Sequence, residues 1–281
     1  MTVRDLIIEL PHLRLAAREW GPVNGPPVLA LHGWLDNAAS FDRIAPLLPE
    51  LHLVALDLAG HGRSQHRHQS VVHHFIDWAP EIVAIADQLG WESFDLIGHS
   101  MGAGISTLVA GTFPNRVRRL VLLEGAGPLA AEAARSPAQL ASAVEDEARA
   151  AAASPRLFPD IDAAVNARLR DSDLDTEAAR LLVERGSEEV DGGVRFTHDP
   201  RLRTRSRTRL TENQALAFLA AIECPVLAVR ALQGWPFPED VVMARLKKIQ
   251  YLQTAEIEGG HHVHLTHPER VASLINNFLT S

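Results

Sequence analysis

Cysteine is almost absent from this 281-residue chain: Cys224 is its only one, which excludes an internal disulfide. A single thiol fits a reducing compartment, and its place at the start of an apolar run predicts a small buried residue. Long apolar stretches are lacking too, since charges interrupt every run before it reaches the length of a membrane span. Arg4, Asp5 and Glu9 break up the segment "MTVRDLIIELPHLRLAAREW", which therefore lacks the apolar core of a signal peptide. We expect a cytoplasmic protein that makes no membrane contact.

An excess of basic charge is also lacking. The chain has 27 lysines and arginines against 35 acidic residues, which gives a net charge of −8. Such a chain is a poor general binder of nucleic acid or of anionic membranes, and we expect neither as a partner. Hydrophobic residues make up 46% of the sequence and charged residues 22%, which suits one large α/β domain or one domain with an insertion. We expect a monomer or a homodimer.

Short apolar runs bounded by turn residues recur along the chain and have the length of buried strands. These runs lie at 27–33, 52–60, 94–100, 119–127 and 225–231. Segments of helical length, such as 75–90 and 101–113, separate most of them. This alternation predicts a mostly parallel central sheet with helices on both faces. The alternating segment "LIIELPHLRLAAREWG" predicts an antiparallel hairpin at the edge of the sheet.

The rhythm breaks between residues 126 and 221, which are rich in alanine and favour helices. We predict a mostly helical cap here, inserted after the sixth strand, with the core formed by residues 1–125 and 222–281. The spacing of "TENQ" predicts a capping box that opens a helix over 211–222. The core then continues with helices near 239–248 and 268–280 and a last strand near 250–257. The alternating arginines of 201–209 predict an extended segment, which is either a solvated loop or cap edge or a contact to an anionic substrate or to acidic cap helices.

The sequence "GHSMG" (98–102) lies between a predicted strand and a predicted helix. This is the context of a nucleophile elbow, in which a tight turn lifts a serine to the carboxyl edge of the sheet. We therefore predict Ser100 as the nucleophile. One donor to the developing oxyanion is the backbone N–H of Met101. The second is the N–H of Trp34 in "LHGW", where Gly33 allows the close approach of the backbone.

The general base is predicted on the loop after the last strand, where "GGHHVHLTHPE" supplies four histidines. His261 is the first after the two glycines and is our choice, with His262 as the alternate. His264 and His267 are predicted at a helix entry or on the surface. No carboxylate or cysteine lies at ligand spacing from these histidines, so we predict neither a metal nor a cofactor.

Taken in order, "LHGW", "DLAGHGRS", "GHSMG" and "GGHHVHLTHPE" resemble the α/β-hydrolase superfamily. The longer runs 31–49 and 57–66 resemble its branch of serine hydrolase-like proteins, and the resemblance is weakest in 126–200. It implies the α/β-hydrolase fold. It also implies a structural role for Asp57, His61 and Arg63 of the "GHG" segment. The family's histidine precedes the proline of the following helix by seven positions, which again indicates His261.

The family commonly places the acid of the triad a few residues after the "PVLAV" strand, where this chain has Gly234. Glu124, at the end of the strand that follows the helix after Ser100, is our choice for the acid. A related branch of the superfamily, the haloalkane dehalogenases, includes members with a glutamate acid at this strand end, which supports this choice. Asp240 is the main competitor, and Asp36 is a weaker one. Gly234, Trp235 and Pro236 then become candidates for the pocket wall beside His261.

A serine nucleophile disfavours the dehalogenase and epoxide hydrolase reactions, which both use an aspartate. The dehalogenases also carry a tryptophan where this chain has Met101, and Tyr251, the only tyrosine, lies outside the predicted cap. The set therefore predicts hydrolysis of a small or medium carboxylic ester, a small-molecule substrate, through an acyl-enzyme on Ser100. A thioesterase, a lactonase or a carbon–carbon bond hydrolase with the same triad remains an alternative. So does a catalytically weak binding protein of this fold, because the usual acid position is vacant.

Overall fold

A computed structural model of the chain describes residues 2–170 and 172–280. Its strands are β1 (Arg4–Leu10), β2 (Leu13–Trp20), β3 (Pro27–Leu31), β4 (His52–Leu56), β5 (Phe94–His99), β6 (Val117–Leu123), β7 (Ser187–Val190), β8 (Gly193–Phe196), β9 (Val226–Ala231) and β10 (Leu252–Ile257). Eight of them form one sheet in the order β1-β2-β4-β3-β5-β6-β9-β10, and β7 pairs with β8 alone. The β1–β2 hairpin is antiparallel and lies at the sheet edge, while β3 to β6, β9 and β10 run parallel.

The helices are α1 (Trp78–Gln88), α2 (Met101–Thr112), α3 (Ser136–Ala152), α4 (Ile161–Arg170), α5 (Thr176–Arg185), α6 (Glu212–Ala220), α7 (Glu239–Leu246), α8 (Val263–Thr266) and α9 (Pro268–Thr280). Short 3₁₀ helices cover 38–41, 45–47, 75–77, 133–135 and 200–203. None of the helices in the described ranges is long and apolar enough to span a bilayer.

The central strands are apolar along their whole length because both faces of the sheet are covered. Leu29 and Leu31 of β3 pack in one hydrophobic cluster, while Val28 and Ala30 pack in the other. This is the two-residue period of a strand, with alternate side chains on opposite faces. Helices α1, α2 and α6 cover one face and α9 the other. The predicted α/β-hydrolase fold with a mostly parallel, doubly covered sheet is confirmed.

Between β6 and β9 the chain forms an inserted segment that contains α3 to α6 and the β7–β8 hairpin. Helices α4 and α5 pack in a small cluster of their own. Helix α6 begins with the predicted capping box between Thr211 and Gln214, and its Leu219 lies in the main core cluster. The exact division into a core and a cap over 126–221 stays a prediction.

Two features of the inserted segment differ from the sequence prediction. The hairpin β7–β8 was not predicted, because its strands are short and only half buried and lack an apolar run. The arginine run is not extended throughout: it begins in a 3₁₀ helix over 200–203. Its Arg205 and Arg207 bind Asp146 and Glu147 of α3, so part of the alternation serves contacts with an acidic helix of the same segment.

Candidate active site

Ser100 lies in the turn between β5 and α2. Its backbone conformation (φ 51°, ψ −110°) is one that residues other than glycine rarely adopt. Such a conformation costs about 1–3 kcal/mol and persists only where the surroundings impose it. Here the N–H of Ser100 donates to the carbonyl of Leu123 at 2.9 Å, and its carbonyl accepts from the N–H of Gly104 at 3.1 Å. The turn therefore holds the hydroxyl up at the carboxyl edge of the sheet.

The glycines on either side of Ser100 are required by packing. A Cβ on Gly102 would lie 2.1 Å from the carbonyl oxygen of Leu31. A Cβ on Gly98 would lie 2.5 Å from both the carbonyl oxygen of Gly102 and the hydroxyl of Ser106. Real Cβ atoms do not approach so closely, so both positions of the predicted elbow exclude any side chain.

His261 lies in the loop after β10 and contacts both other predicted members of the triad. Its Nε2 is 2.9 Å from Ser100 Oγ, and its Nδ1 is 3.3 Å from Glu124 Oε2. A carboxylate can only accept, so Nδ1 carries the proton and Nε2 accepts from the serine hydroxyl. The ring of His99, fully buried beneath, donates from Nε2 to the carbonyl of His261 at 2.9 Å. This bond fixes the backbone of His261 from below.

Glu124 follows β6 and is buried, with a positive φ of 53°. Its Oε1 accepts the backbone N–H of Ala231 at 2.6 Å, and its Oε2 accepts that of Trp235 at 3.1 Å. Ala231 is the last residue of β9, the strand between β6 and β10, and Trp235 lies in the loop that follows it. These two hydrogen bonds, one to each oxygen, fix the orientation of the carboxylate.

Gly234 belongs to the same carboxylate site. A Cβ built on it would lie 2.0 Å from Glu124 Oε2 and 2.6 Å from its carboxyl carbon. The volume that a side chain at 234 would enter is therefore filled by the carboxylate of Glu124. Glu124 can therefore keep its present position only while residue 234 is a glycine.

The two predicted oxyanion donors lie on neighbouring parts of the sheet edge. Met101 is the first residue of α2, and its N–H is one of the donors that a helix leaves unpaired. Trp34 follows Gly33 in the loop after β3, a loop that also contains Leu35 in the left-handed region (φ 60°). A Cβ on Gly33 would lie 2.9 Å from His99 Nδ1, so the loop needs glycine to pass over that ring. The Trp34 indole donates to the carbonyl of Leu202 in the inserted segment at 2.9 Å.

A family model described as "alpha/beta hydrolase fold" matches residues 26–268 of the chain. The serine hydrolase-like protein of Danio rerio is 33% identical over 96% of this chain and 86% of its own length. This chain belongs to the α/β-hydrolase family. The likeness to the Danio rerio protein assigns it to the serine hydrolase-like branch, as its motifs predict.

Two solved structures show how closely the hydrolase follows known folds. A hypothetical protein from Pseudomonas aeruginosa PAO1 is 41% identical and superposes with a TM-score of 0.94 over 99% of both chains. The thioesterase domain of the curacin biosynthetic pathway is 27% identical, with a TM-score of 0.86 over 98% of the hydrolase and 99% of that domain.

The other histidines of the loop have partners away from Ser100. His262, the alternate base, binds Asp173 through Nδ1 at 2.5 Å, and its Nε2 is 3.5 Å from Asp36 Oδ2. His264 lies on α8 as predicted, but it is fully buried against Ser40 rather than on the surface, because α8 turns inward over the 3₁₀ helix 38–41. In the described ranges no group of three or more histidine, cysteine or acidic side chains could hold a metal ion.

The two competing acids lie elsewhere in the hydrolase. Asp240 is exposed in the first turn of α7, and the hydrogen bonds of His261 go to other side chains. Asp36 is buried and pairs with Arg168 of α4, and burial, which would raise its pKa, is outweighed by that guanidinium and by His262, so the pKa lies well below its usual value. Neither carboxylate is a partner of the histidine that faces Ser100.

Sequence reasoning missed Asp173 and the function of His99 at the site. Asp173 lies in the loop between α4 and α5, where nothing in the local sequence marks it. His99, at the end of β5, donates to the carbonyl of His261 in the loop after β10, a contact between residues far apart in sequence. Its position directly before the nucleophile was the one available signal.

Proposed function

We propose that the hydrolase is a serine carboxylesterase that cleaves small or medium carboxylic esters through an acyl-enzyme. Ser100 is the nucleophile, His261 the general base and Glu124 the acid, while the N–H groups of Trp34 and Met101 form the oxyanion hole. The observation that carries this proposal is the pair of contacts of His261, at 2.9 Å to Ser100 and 3.3 Å to Glu124.

The proposed reaction begins when His261 Nε2 takes the proton of Ser100 as the oxygen attacks the ester carbonyl. Glu124 stabilises the imidazolium that forms and keeps the proton on Nδ1. The N–H groups of Trp34 and Met101 stabilise the negative oxygen of the tetrahedral intermediate. His261 then gives its proton to the leaving alcohol, and water, activated in the same way, releases the acid from Ser100.

Two exposed indole rings beside the site support the proposal that the substrate is apolar. Trp235 is 60% exposed and its ring centroid lies 5.6 Å from that of His261. Trp34 is 49% exposed and belongs to the loop proposed to supply an oxyanion donor. Exposed aromatic surface beside a reacting group is typical of sites that bind apolar ligands.

A fluorophosphonate probe and p-nitrophenyl butyrate test the proposal. The wild type is expected to be labelled at Ser100 and to turn over the ester, and Ser100→Ala is expected to do neither. Absence of Ser100-dependent labelling and turnover would rule out the enzyme and leave a binding protein of this fold.

A second candidate is thioester hydrolysis, which the likeness to the curacin thioesterase domain favours. The same triad serves both reactions, since only the leaving atom differs. Comparing kcat/KM for butyryl thioesters and butyryl oxygen esters of similar size separates the two. A preference for the thioester by about tenfold or more, equal to about 1.4 kcal/mol in the transition state, would replace the ester proposal.

A further inference from the structure

A chain of charged groups crosses from the inserted segment to both active-site loops, and the proposed mechanism does not use it. Asp173, between α4 and α5, accepts the backbone N–H of His262 at 3.0 Å and contacts its Nδ1 at 2.5 Å. The other ring nitrogen of His262 is 3.5 Å from Asp36. Asp36 in turn binds Arg168 of α4. We name Asp173, His262, Asp36 and Arg168 the bridge.

The two middle members of the bridge, His262 and Asp36, each lie close to a proposed catalytic group in the chain. His262 directly follows His261. A Cβ on Gly260, the residue before His261, would lie 2.0 Å from Asp173 Oδ2, so this carboxylate rests directly against the backbone of the base loop. Asp36 is two residues after Trp34, and its N–H donates to the carbonyl of Gly33 at 3.2 Å. The bridge therefore joins the base loop to the oxyanion loop.

The charges on the bridge support one another, with His262 and Asp36 buried and Asp173 partly open to solvent. Burial opposes the positive form of His262, but the hydrogen bonds and attraction of Asp173 and Asp36 outweigh it and raise its pKa to about 9. Burial also opposes the charge on Asp173, but its bonds with His262 hold its pKa far below the usual value. An imidazolium between two carboxylates, one of which also pairs with a guanidinium, is thus the state near neutral pH.

We propose that the bridge positions both His261 and the oxyanion loop, so that the reactive geometry at Ser100 depends on Asp173 from the inserted segment. This inference rests on the proposed function. His262 and Asp173 are positioning residues, because neither touches Ser100. If the hydrogen bond from the backbone N–H of His262 to Asp173 is lost, Nε2 of the neighbouring His261 is no longer aligned with the oxygen of Ser100. A misplacement of about 1 Å can lower a rate by about 100-fold.

The groups that face His262 come from every element packed around it. They are Asp36 after β3, Asp173 after α4, His99 at the end of β5, and His261 and His264 of its own loop and helix. Burial lowers the pKa of His99 and His264, the latter to about 3, so both stay neutral through the working range. The titration of the bridge above neutral pH is therefore that of His262.

The test compares Asp173→Asn with the control Asp162→Asn, which removes the same charge from an exposed pair with Arg180 in the same segment. At neutral pH we expect Asp173→Asn to lower kcat by about 10- to 100-fold, with KM changed less than about threefold, and the control to match the wild type. Equal kcat in Asp173→Asn and the wild type would overturn the inference.

The pH profile separates positioning from loss of structure. Because the positive charge between the two carboxylates exists only while His262 holds its proton, wild-type kcat is expected to fall as pH rises through about 9. In Asp173→Asn this alkaline limb moves toward neutral pH, since one supporting carboxylate is gone. In His262→Gln, which has a donor but no titration there, the limb disappears. An alkaline limb unchanged in both variants would contradict the bridge.

Nitrogen NMR of the histidine rings tests the bridge without an activity assay. It therefore applies also when a variant folds poorly or the wild type is inactive. In the wild type, His262 is expected to carry both protons at pH 7, and a neutral ring would overturn the inference. If the wild type fails to label at Ser100, the proposed function fails, and the bridge is judged by the ring signals of His261. Asp173→Asn is expected to shift the ring signals of His261, and Asp162→Asn is expected to leave them unchanged. Signals of His261 that stay unshifted in both variants would overturn the inference.

Discussion

At the scale of single residues, the carboxylate of Glu124, the proposed acid, fills the volume that a side chain at position 234 would occupy. A carboxylate reaching His261 can start from the end of β6 or from the end of β9, since the two strands are neighbours. Here the side chain of Glu124, at the end of β6, fills this space. The Cβ of any residue other than glycine at 234 would overlap the carboxylate of Glu124. Glycine at 234 thus accompanies glutamate at 124 for a steric reason.

Removing the charge of Glu124 tests its assignment. Glu124→Gln is expected to lower kcat by about 100-fold or more, because the imidazolium of His261 loses its partner. The amide has one acceptor oxygen for the two N–H groups of Ala231 and Trp235, so a loss of stability of about 1–3 kcal/mol is also expected. Steady-state kinetics and urea unfolding measure the two effects.

Asp240→Asn is the matched control for that experiment, since it removes a carboxylate from the exposed first turn of α7. It is expected to keep wild-type kcat. A large loss in Asp240→Asn with none in Glu124→Gln would move the acid to residue 240.

The shared volume also predicts that the acid can be moved. Gly234→Asp alone is expected to lower activity, since its side chain pushes the carboxylate of Glu124 away from His261. In a Glu124→Ala background the space is empty, and Gly234→Asp is expected to raise kcat by about tenfold or more over Glu124→Ala alone. Kinetics of the three variants decide it, and a double variant no better than Glu124→Ala would contradict a common site.

The residues of the candidate site differ in how clearly the sequence predicts them. Ser100 has a local signature, because the elbow needs glycine on both sides, and His261 has chain order and two preceding glycines. Glu124 could be inferred only because Gly234 left the usual position empty. Asp173 has no signature: its contact with His262 depends on how the inserted segment folds back over the sheet, a long-range outcome that local patterns do not encode.

At the scale of elements, the strands and helices of the sheet could be predicted because burial on both faces gives continuous apolar runs and covering helices give amphipathic ones. Helix α9 shows this, with Val271, Ile275 and Phe278 facing the sheet. The inserted segment was harder, since α3, α4 and α6 bury few side chains. In α3 only Ala143 is buried, so its position depends on surface pairs such as Arg207 with Glu147.

Helix α5 is fixed to the core by a buried ion pair, which gives a prediction at this scale. The Arg185 side chain is 1% exposed, and its Nε lies 3.0 Å from Asp57 Oδ1, while Nη1 donates to Asp5 at 2.7 Å. Arg185→Met leaves the carboxylate of Asp57 buried without its partner. We expect a loss of about 3–5 kcal/mol in the free energy of unfolding, measured in urea.

Arg180→Met on the same helix is the control, because Arg180 pairs with Asp162 at the exposed surface. Its loss is expected to be below about 1 kcal/mol. Adding Asp57→Asn to Arg185→Met is expected to recover part of the stability, since the unpaired charge is removed. Equal losses for the two arginines would show that burial of the pair does not decide the anchoring of α5.

At the scale of the whole molecule, buried histidines of two kinds set the dependence of stability on pH. Burial lowers the pKa of His61, His99 and His264, so the unfolded chain binds their protons first below about pH 6.5. Acid therefore destabilises the fold, by up to about 1.4 kcal/mol per pH unit for each group. His262 behaves oppositely, because its pKa is raised to about 9 in the folded chain.

The stability of the wild type is therefore expected to peak near pH 6.5 and to fall on both sides. The contribution of His262 is complete below about pH 6.5, its unfolded pKa, and is lost as pH rises through about 9. Urea unfolding between about pH 5 and pH 10 measures both slopes. In His262→Gln the alkaline slope between about pH 6.5 and pH 9 should flatten while the acid slope remains, since His61, His99 and His264 are unchanged. An alkaline slope that survives this substitution would mean that another group titrates there and that His262 is neutral in the folded chain.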